Sequence, residues 1–148
     1  MASIRQEIVI AAAPEAVWDA ICDVGNLETR VARGFVVKTD MEEGARMVTF
    51  ANGMQAREWI VGFDHAQRRF AYAVESPRLT RHSASFQVFQ DGEDSRVVWL
   101  ADLLPDEAGE TVGQMMAAGR LNIPTLMVAC GYQPSGHYQG RHVDIEAV

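Results

Sequence analysis

The chain reads as an α+β protein built on one seven-stranded antiparallel sheet. Three observations carry that reading. Strand-like and helix-like segments are segregated rather than alternating, which argues against a parallel α/β sheet. Six strand-like segments follow one another between Phe35 and Leu104, separated by short turn sequences. A sustained helical period occurs only at the far end, after Pro105.

Each element can be justified in order. Ile4–Ile10 alternates, with Ile4, Gln6, Ile8 and Ile10 set against Arg5, Glu7 and Val9, and reads as the first strand. Ala13-Pro14-Glu15 opens a helix, because Pro14 is pre-set for the first turn and Glu15 sits beside the positive helix end. Val17, Trp18 and Ile21 share one face of it. A second short helix is expected around Gly25–Ala32. Phe35–Thr39 is the second strand, and Glu42-Glu43-Gly44 turns it into Ala45–Ala51. Asn52-Gly53 is a two-residue hairpin signal leading to Met54–Phe63. Asp64-His65-Ala66-Gln67 turns that strand into Arg69–Val74. Glu75–Leu79, with Pro77, is a loop, and Arg81–Phe89 and Arg96–Leu104 are joined through Asp91-Gly92-Glu93-Asp94. Pro105-Asp106-Glu107 starts the last helix, in which Val112, Met115, Met116 and Gly119 hold the i, i+3, i+4, i+7 spacing. Pro124 is expected to end or kink it. The helical period is lost across Arg120–Val148.

The 148 residues are a length suited to one domain, 1–148, able to bury a core without metal or disulfide. Lys and Arg number 13 against 20 Asp and Glu, a formal net charge of −7. That argues against nucleic-acid binding and against charge-driven docking on anionic lipid. No apolar run is long enough for membrane insertion, and no basic-then-apolar leader opens the chain. Cys22 and Cys130 fit no zinc or redox spacing and suit a reducing compartment, so a cytoplasmic location is expected. His65, His82, His137 and His142 form no metal-ligand spacing, and no phosphate loop, dinucleotide fingerprint or nucleophile elbow occurs. Neither metal nor cofactor is expected.

A series of local motifs, in order, carries a resemblance. They are Pro14-Glu15-Ala16-Val17-Trp18, Gly44-Ala45-Arg46 and Asn52-Gly53. Arg57-Glu58 follows, with Asp64, Arg69 and Tyr72 behind it, then Trp99 and Leu104-Pro105. From Ser3 to Gly119 the chain resembles the START-like superfamily, also called SRPBCC, which includes plant pollen-allergen relatives. Within it the chain is similar to the bacterial polyketide cyclase/dehydrase-like branch. The resemblance implies a helix-grip fold: a curved antiparallel sheet around a long C-terminal helix, two short helices after the first strand, and an apolar cavity between sheet and helix. The tail 120–148 departs from the family pattern.

Strand alternation sorts the faces. His82, Ala84, Phe86 and Val88 face inward in one strand, and Phe70, Tyr72 and Val74 in another. Val97, Trp99, Ala101 and Leu103 face inward in the last, and Phe35 and Val37 in the second. The fourth strand is ambiguous. Hydrophobicity alone turns Trp59, Val61 and Phe63 inward, whereas the family pattern turns Glu58 inward. With Glu58 inside, Trp59, Val61 and Phe63 become an outer apolar stripe suited to a homodimer contact.

The candidate polar handles are His82 and Glu58, each readable either as a satisfied core group or as a ligand-orienting or acid/base group. The turn lengths place Tyr72 across from Gly62, Val74 from Ile60, and His82 from Val74. Glu58 and His82 are then two strands apart, too far for a direct hydrogen bond. Tyr72, Phe86, Trp99 and Met115 are candidate wall residues, and Arg30 a candidate at the pocket mouth. A cavity of roughly 300–1,000 Å³ is expected. The first functional expectation is binding of a small hydrophobic ligand: a lipid, polyketide, aromatic or sterol-like molecule. The alternatives are a polyketide cyclase/dehydrase-type enzyme using His82 or Glu58, and a chaperone-interacting module.

Overall fold

The computed structural model describes residues 1–129, with side chains described through Arg120. β1 (Ala2–Ile10) is followed by α1 (Pro14–Cys22), a 3₁₀ turn at Val24–Asn26 and α2 (Leu27–Arg30). Then come β2 (Val36–Glu42), β3 (Ala45–Phe50), β4 (Gln55–Asp64), β5 (Arg69–Glu75), β6 (Arg81–Asp91) and β7 (Asp94–Leu104). A second 3₁₀ turn, Asp106–Ala108, leads into α3 (Gly109–Ala129). The seven strands form one antiparallel sheet in the order β1-β7-β6-β5-β4-β3-β2. This is the expected architecture: a meander from β2 to β7, closed by β1 on the far side of β7.

Local sequence explains the elements. α1 begins at Pro14 with Glu15 in its first turn, and it buries Val17, Trp18 and Ile21 on one face. The β3–β4 turn is one residue longer than Asn52-Gly53 alone predicts. Phe50 N–H donates to the Met54 carbonyl at 2.8 Å, while the Asn52 side chain accepts from Met54 N–H at 3.0 Å. Gly53, at φ 87°, supplies the left-handed conformation this turn needs.

The core lies between the sheet's inner face and the helices. Ile8, Ile10, Val48, Phe70, Val97 and Leu103 are fully buried. An aromatic row crosses the inner face. Ring centroids are 4.6 Å apart for Phe63–Phe70, 5.3 Å for Phe70–Tyr72, 6.1 Å for Tyr72–Phe86 and 4.9 Å for Phe86–Trp99, all near parallel. Trp18 of α1 meets Phe63 edge-on at 6.3 Å, and its indole N–H donates to His65 Nδ1 at 3.2 Å. α3 lies along β1, where a methyl on Gly109 would fall 2.8 Å from Ala2 Cβ. The helix approaches that edge closely and leaves room elsewhere.

The structure corrects five expectations. Three trace to β-bulges, because one extra residue shifts the register and inverts the alternation beyond it. In β4 the register shifts between Ile60 and Gly62, so Tyr72 pairs with Ile60 and Val74 with Glu58, not with Gly62 and Ile60. Beyond the bulge Phe63 turns inward against Phe70 and the core. The outer stripe therefore lacks Phe63 and keeps only Trp59 and Val61, with Val61 67% exposed. In β2 the shift between Val36 and Lys38 buries Val36 and leaves Val37 55% exposed, the reverse of the expected facing. Arg30 is not at a pocket mouth: it is buried between Asp23 (2.7 Å) and Asp19 (2.8 Å), binding α2 to α1 and the loop after it. Helical backbone runs through Pro124 to Ala129, so that proline does not end α3. The remainder of the tail reading, beyond Ala129, lies outside the described residues.

Candidate functional site

A cavity of about 350 Å³ lies between the sheet and α3, within the volume range of small-molecule sites. It occupies one end of the inner face. The first residues of β4, the last of β5 and the first of β6 form its floor, and α3 its roof. Val112, Met115 and Met116 of α3 face Ala56, Val74 and Trp99 across it. Most of this wall is apolar, and methionine side chains adapt readily to different occupants.

Among the polar residues of that wall, Glu58, Tyr72 and His82 lie on the sheet's inner face, and Gln55, Ser76, Arg78, Glu107 and Thr111 complete the lining. Glu58 lies directly opposite Arg46 in the β3–β4 ladder. Arg46 Nε donates to Glu58 Oε1 at 2.8 Å, and Nη2 lies 2.7 Å from the same oxygen. Both residues are buried, Arg46 at 3% and Glu58 at 7% exposure. Arg46 Nη1 also donates to the Val24 carbonyl at 3.2 Å. Its guanidinium lies 5.5 Å from the Phe70 ring centroid and 5.9 Å from that of Tyr72. The arginine is thus spent on structure, holding β3, β4 and the turn after α1 together. Both of its contacts to Glu58 fall on Oε1. No described residue donates to Oε2, so the carboxylate keeps acceptor capacity at the cavity wall.

Tyr72 accepts a hydrogen bond from Trp99 Nε1 at 2.9 Å. Burial and the neighbouring Glu58 carboxylate push its phenol well above the usual tyrosine range. It stays protonated and retains an O–H to donate. His82 opens β6. Continuing the β5–β6 register one step past Ala73 and Ser83 sets His82 beside Val74, in the same row as Glu58. Two strand spacings separate His82 from Glu58, on the order of 10 Å. Burial holds the imidazole below its ordinary value near 6.5, so the ring is neutral at pH 7. Its Nδ1 is buried without a hydrogen-bond partner, an arrangement that costs free energy unless something satisfies it.

The candidate residues therefore divide. Glu58, Tyr72, His82, Trp99 and Met115 line the cavity. Phe86 does not, because the Trp99 ring lies over it at 4.9 Å, and Arg30 does not either. Arg46 was not foreseen as the partner of Glu58. A signal for it exists: Arg46 and Glu58 are equally spaced about Asn52, and a hairpin centred there pairs them. Leu79 at the β5–β6 loop and Pro105 before α3 also join the wall from turns, where alternation gives no facing. Among the described residues no group of three or more His, Cys, Asp or Glu side chains is placed to hold a metal. Cys22 is buried and is not part of the cavity lining, and burial pushes its thiol up to about 12, so it is inert as a nucleophile at neutral pH. No helix among the described residues is long and apolar enough to cross a membrane.

A family model described as polyketide cyclase / dehydrase and lipid transport matches residues 1–122. The fold is similar to that of XoxI from Bacillus cereus, at 19% identity and a TM-score of 0.75, over 86% of this chain and 96% of that one. It is similar to Ara h 8.0201, at 16% identity and 0.67, over 86% and 98%. It also resembles ginseng major latex-like protein 151 from Panax ginseng, at 14% identity and 0.67, over 84% and 95%. At such identities these structures show a shared fold.

Proposed function

The chain belongs to the polyketide cyclase/dehydrase and lipid transport family, and from that premise we propose that it binds a small, largely apolar molecule between the sheet and α3. The observation that carries the reading is the cavity itself: a space of about 350 Å³ with a mostly apolar wall and polar side chains that include Glu58, Tyr72 and His82. The apolar wall supplies affinity by removing ligand surface from water. The polar groups supply orientation. Glu58 Oε2 accepts a hydrogen bond from a ligand hydroxyl or N–H, and the Tyr72 hydroxyl donates one to a ligand oxygen. The Arg46 charge is matched by Glu58, and the cation in the cavity lining is Arg78, which is exposed to solvent. A largely apolar ligand with a donor directed at Glu58 fits best.

Calorimetric titration with 4-ethylphenol tests this. The wild type is expected to bind one molecule saturably. Val112→Trp, which fills the cavity from α3, should abolish binding while retaining cooperative unfolding. Absence of saturable binding to the wild type, or equal binding to the filled variant, contradicts the proposal.

The unpartnered Nδ1 of His82 favours a second reading, an enzyme of the cyclase/dehydrase type. A neutral imidazole beside bound substrate can take the proton α to a carbonyl and return it, as imidazolium, to the β-hydroxyl, whose C–O bond breaks to release water and leave the enone. Dehydration of a β-hydroxy ketone, followed by enone absorbance, tests it. Turnover lowered about 10²–10⁴-fold in His82→Gln supports the enzyme, and equal rates sink it.

A further inference from the structure

The cavity occupies only one end of the sheet's inner face. Resting on the reading of that cavity as a ligand site, we propose that Trp99 sets the length of ligand it accepts. The occupant is thereby confined to compounds of about one or two rings, or a short chain, and sterols and long acyl chains are excluded. Phe86, paired directly across from Trp99 and stacked between it and Tyr72, does not reach the cavity. Trp99 is the last ring of the aromatic row and the only member besides Tyr72 that borders the empty space.

Three constraints fix that ring. Its N–H donates to Tyr72 at 2.9 Å. Its face stacks on Phe86 at 4.9 Å and 17°. On the other side α3 comes close at Gly119, where an added methyl would lie 3.2 Å from Trp99 Cζ3 and 3.1 Å from Phe35 Cε1. A methyl here would require the indole or the Phe35 ring to give way, so the glycine lets the helix lie close against Trp99. Rotating Trp99 aside loses the hydrogen bond and the stack together. The opposite wall contrasts with this. Met115 and Met116 have unbranched, flexible side chains that reshape around different occupants. The cavity is adaptable in cross-section and rigid at its end.

A series of 4-n-alkylphenols reads out that end wall. Each added methylene tightens binding about fourfold while it remains buried, and the gain stops when the chain meets Trp99. Affinities measured by calorimetry should break at a fixed length in the wild type. In Trp99→Leu the gain should continue for about two further methylenes, and in Trp99→Ala for more. Trp99→Phe, which keeps a ring on Phe86 but lacks the N–H, should move the break least. If Trp99→Ala fails to fold, Trp99→Leu decides alone. An unmoved break in a cooperatively unfolding Trp99→Leu overturns the proposal while the ligand site stands. If no alkylphenol binds the wild type saturably, the ligand-site reading falls and this one with it.

Discussion

The two ends of the sheet's inner face are built from the same strands and differ in what fills them. At the end covered by α1, Phe63, Phe70 and Trp18 interlock, and Phe70 is only 1% exposed. At the end covered by α3 the same strands present Ala56, Val74 and His82, and a cavity remains. At the cavity end β4 stays paired with β5 through Arg57 and Glu75, and β6 with β7 through Arg81 and Leu104, so the hollow does not come from loss of these pairings. It comes from side-chain volume and from an α3 that sits close along β1. Dense ring packing and open volume thereby lie in different halves of one sheet.

Substitutions should separate the halves. Phe70→Ala removes a fully packed ring and should cost about 3–5 kcal/mol in urea unfolding. Val74→Ala, whose methyls already border empty space, should cost less than about 1.5 kcal/mol. Equal costs would erase the distinction. Glu58→Leu leaves Arg46 buried and unpaired and should cost about 3–5 kcal/mol, most of it recovered when Arg46→Met is added. If the double variant is no more stable than the single, the two do not form an isolated buried pair. Trp99→Phe loses the bond to Tyr72 and should cost about 0.5–1.5 kcal/mol.

The smallest effect is pH-dependent. His82 is held below its ordinary value near 6.5 by burial. Between that value and the lowered folded one, the unfolded chain binds more protons than the native state. Stability is therefore full above about pH 6.5 and falls as pH drops through the lowered value. His82→Gln should flatten this part of the pH–stability curve. An unchanged slope would mean that the ring is not held neutral by the fold.

These halves were not equally legible in the sequence. The meander, the turn glycines and the helix starts follow from local chemistry, and so does the inward facing of Phe70, Tyr72, Phe86 and Trp99. The fourth strand was open on alternation alone, and Glu58 could be placed inside only by family pattern. Phe63 was misplaced because the bulge at Val61 inverts the faces, and nothing in Ile60-Val61-Gly62-Phe63 marks the extra residue. Val37 failed for the same reason. Arg30 and Arg46 expose a different limit. A buried arginine is specified by its carboxylate partners, which lie 7 and 11 residues away for Arg30 and 12 for Arg46. Only the folded register shows which partners meet.

The central claim is that the α3 end alone takes a ligand. Methyl-¹³C methionine spectra during titration with 4-ethylphenol test it most directly, because methionines mark both kinds of surface. Met54, Met115 and Met116 line the cavity, whereas Met1 and Met41 are exposed elsewhere. The account predicts saturable shifts of the Met54, Met115 and Met116 methyls with one common affinity, while Met1 and Met41 stay in place. Unshifted cavity methyls at saturating phenol, or shifts confined to Met1 and Met41, would contradict it.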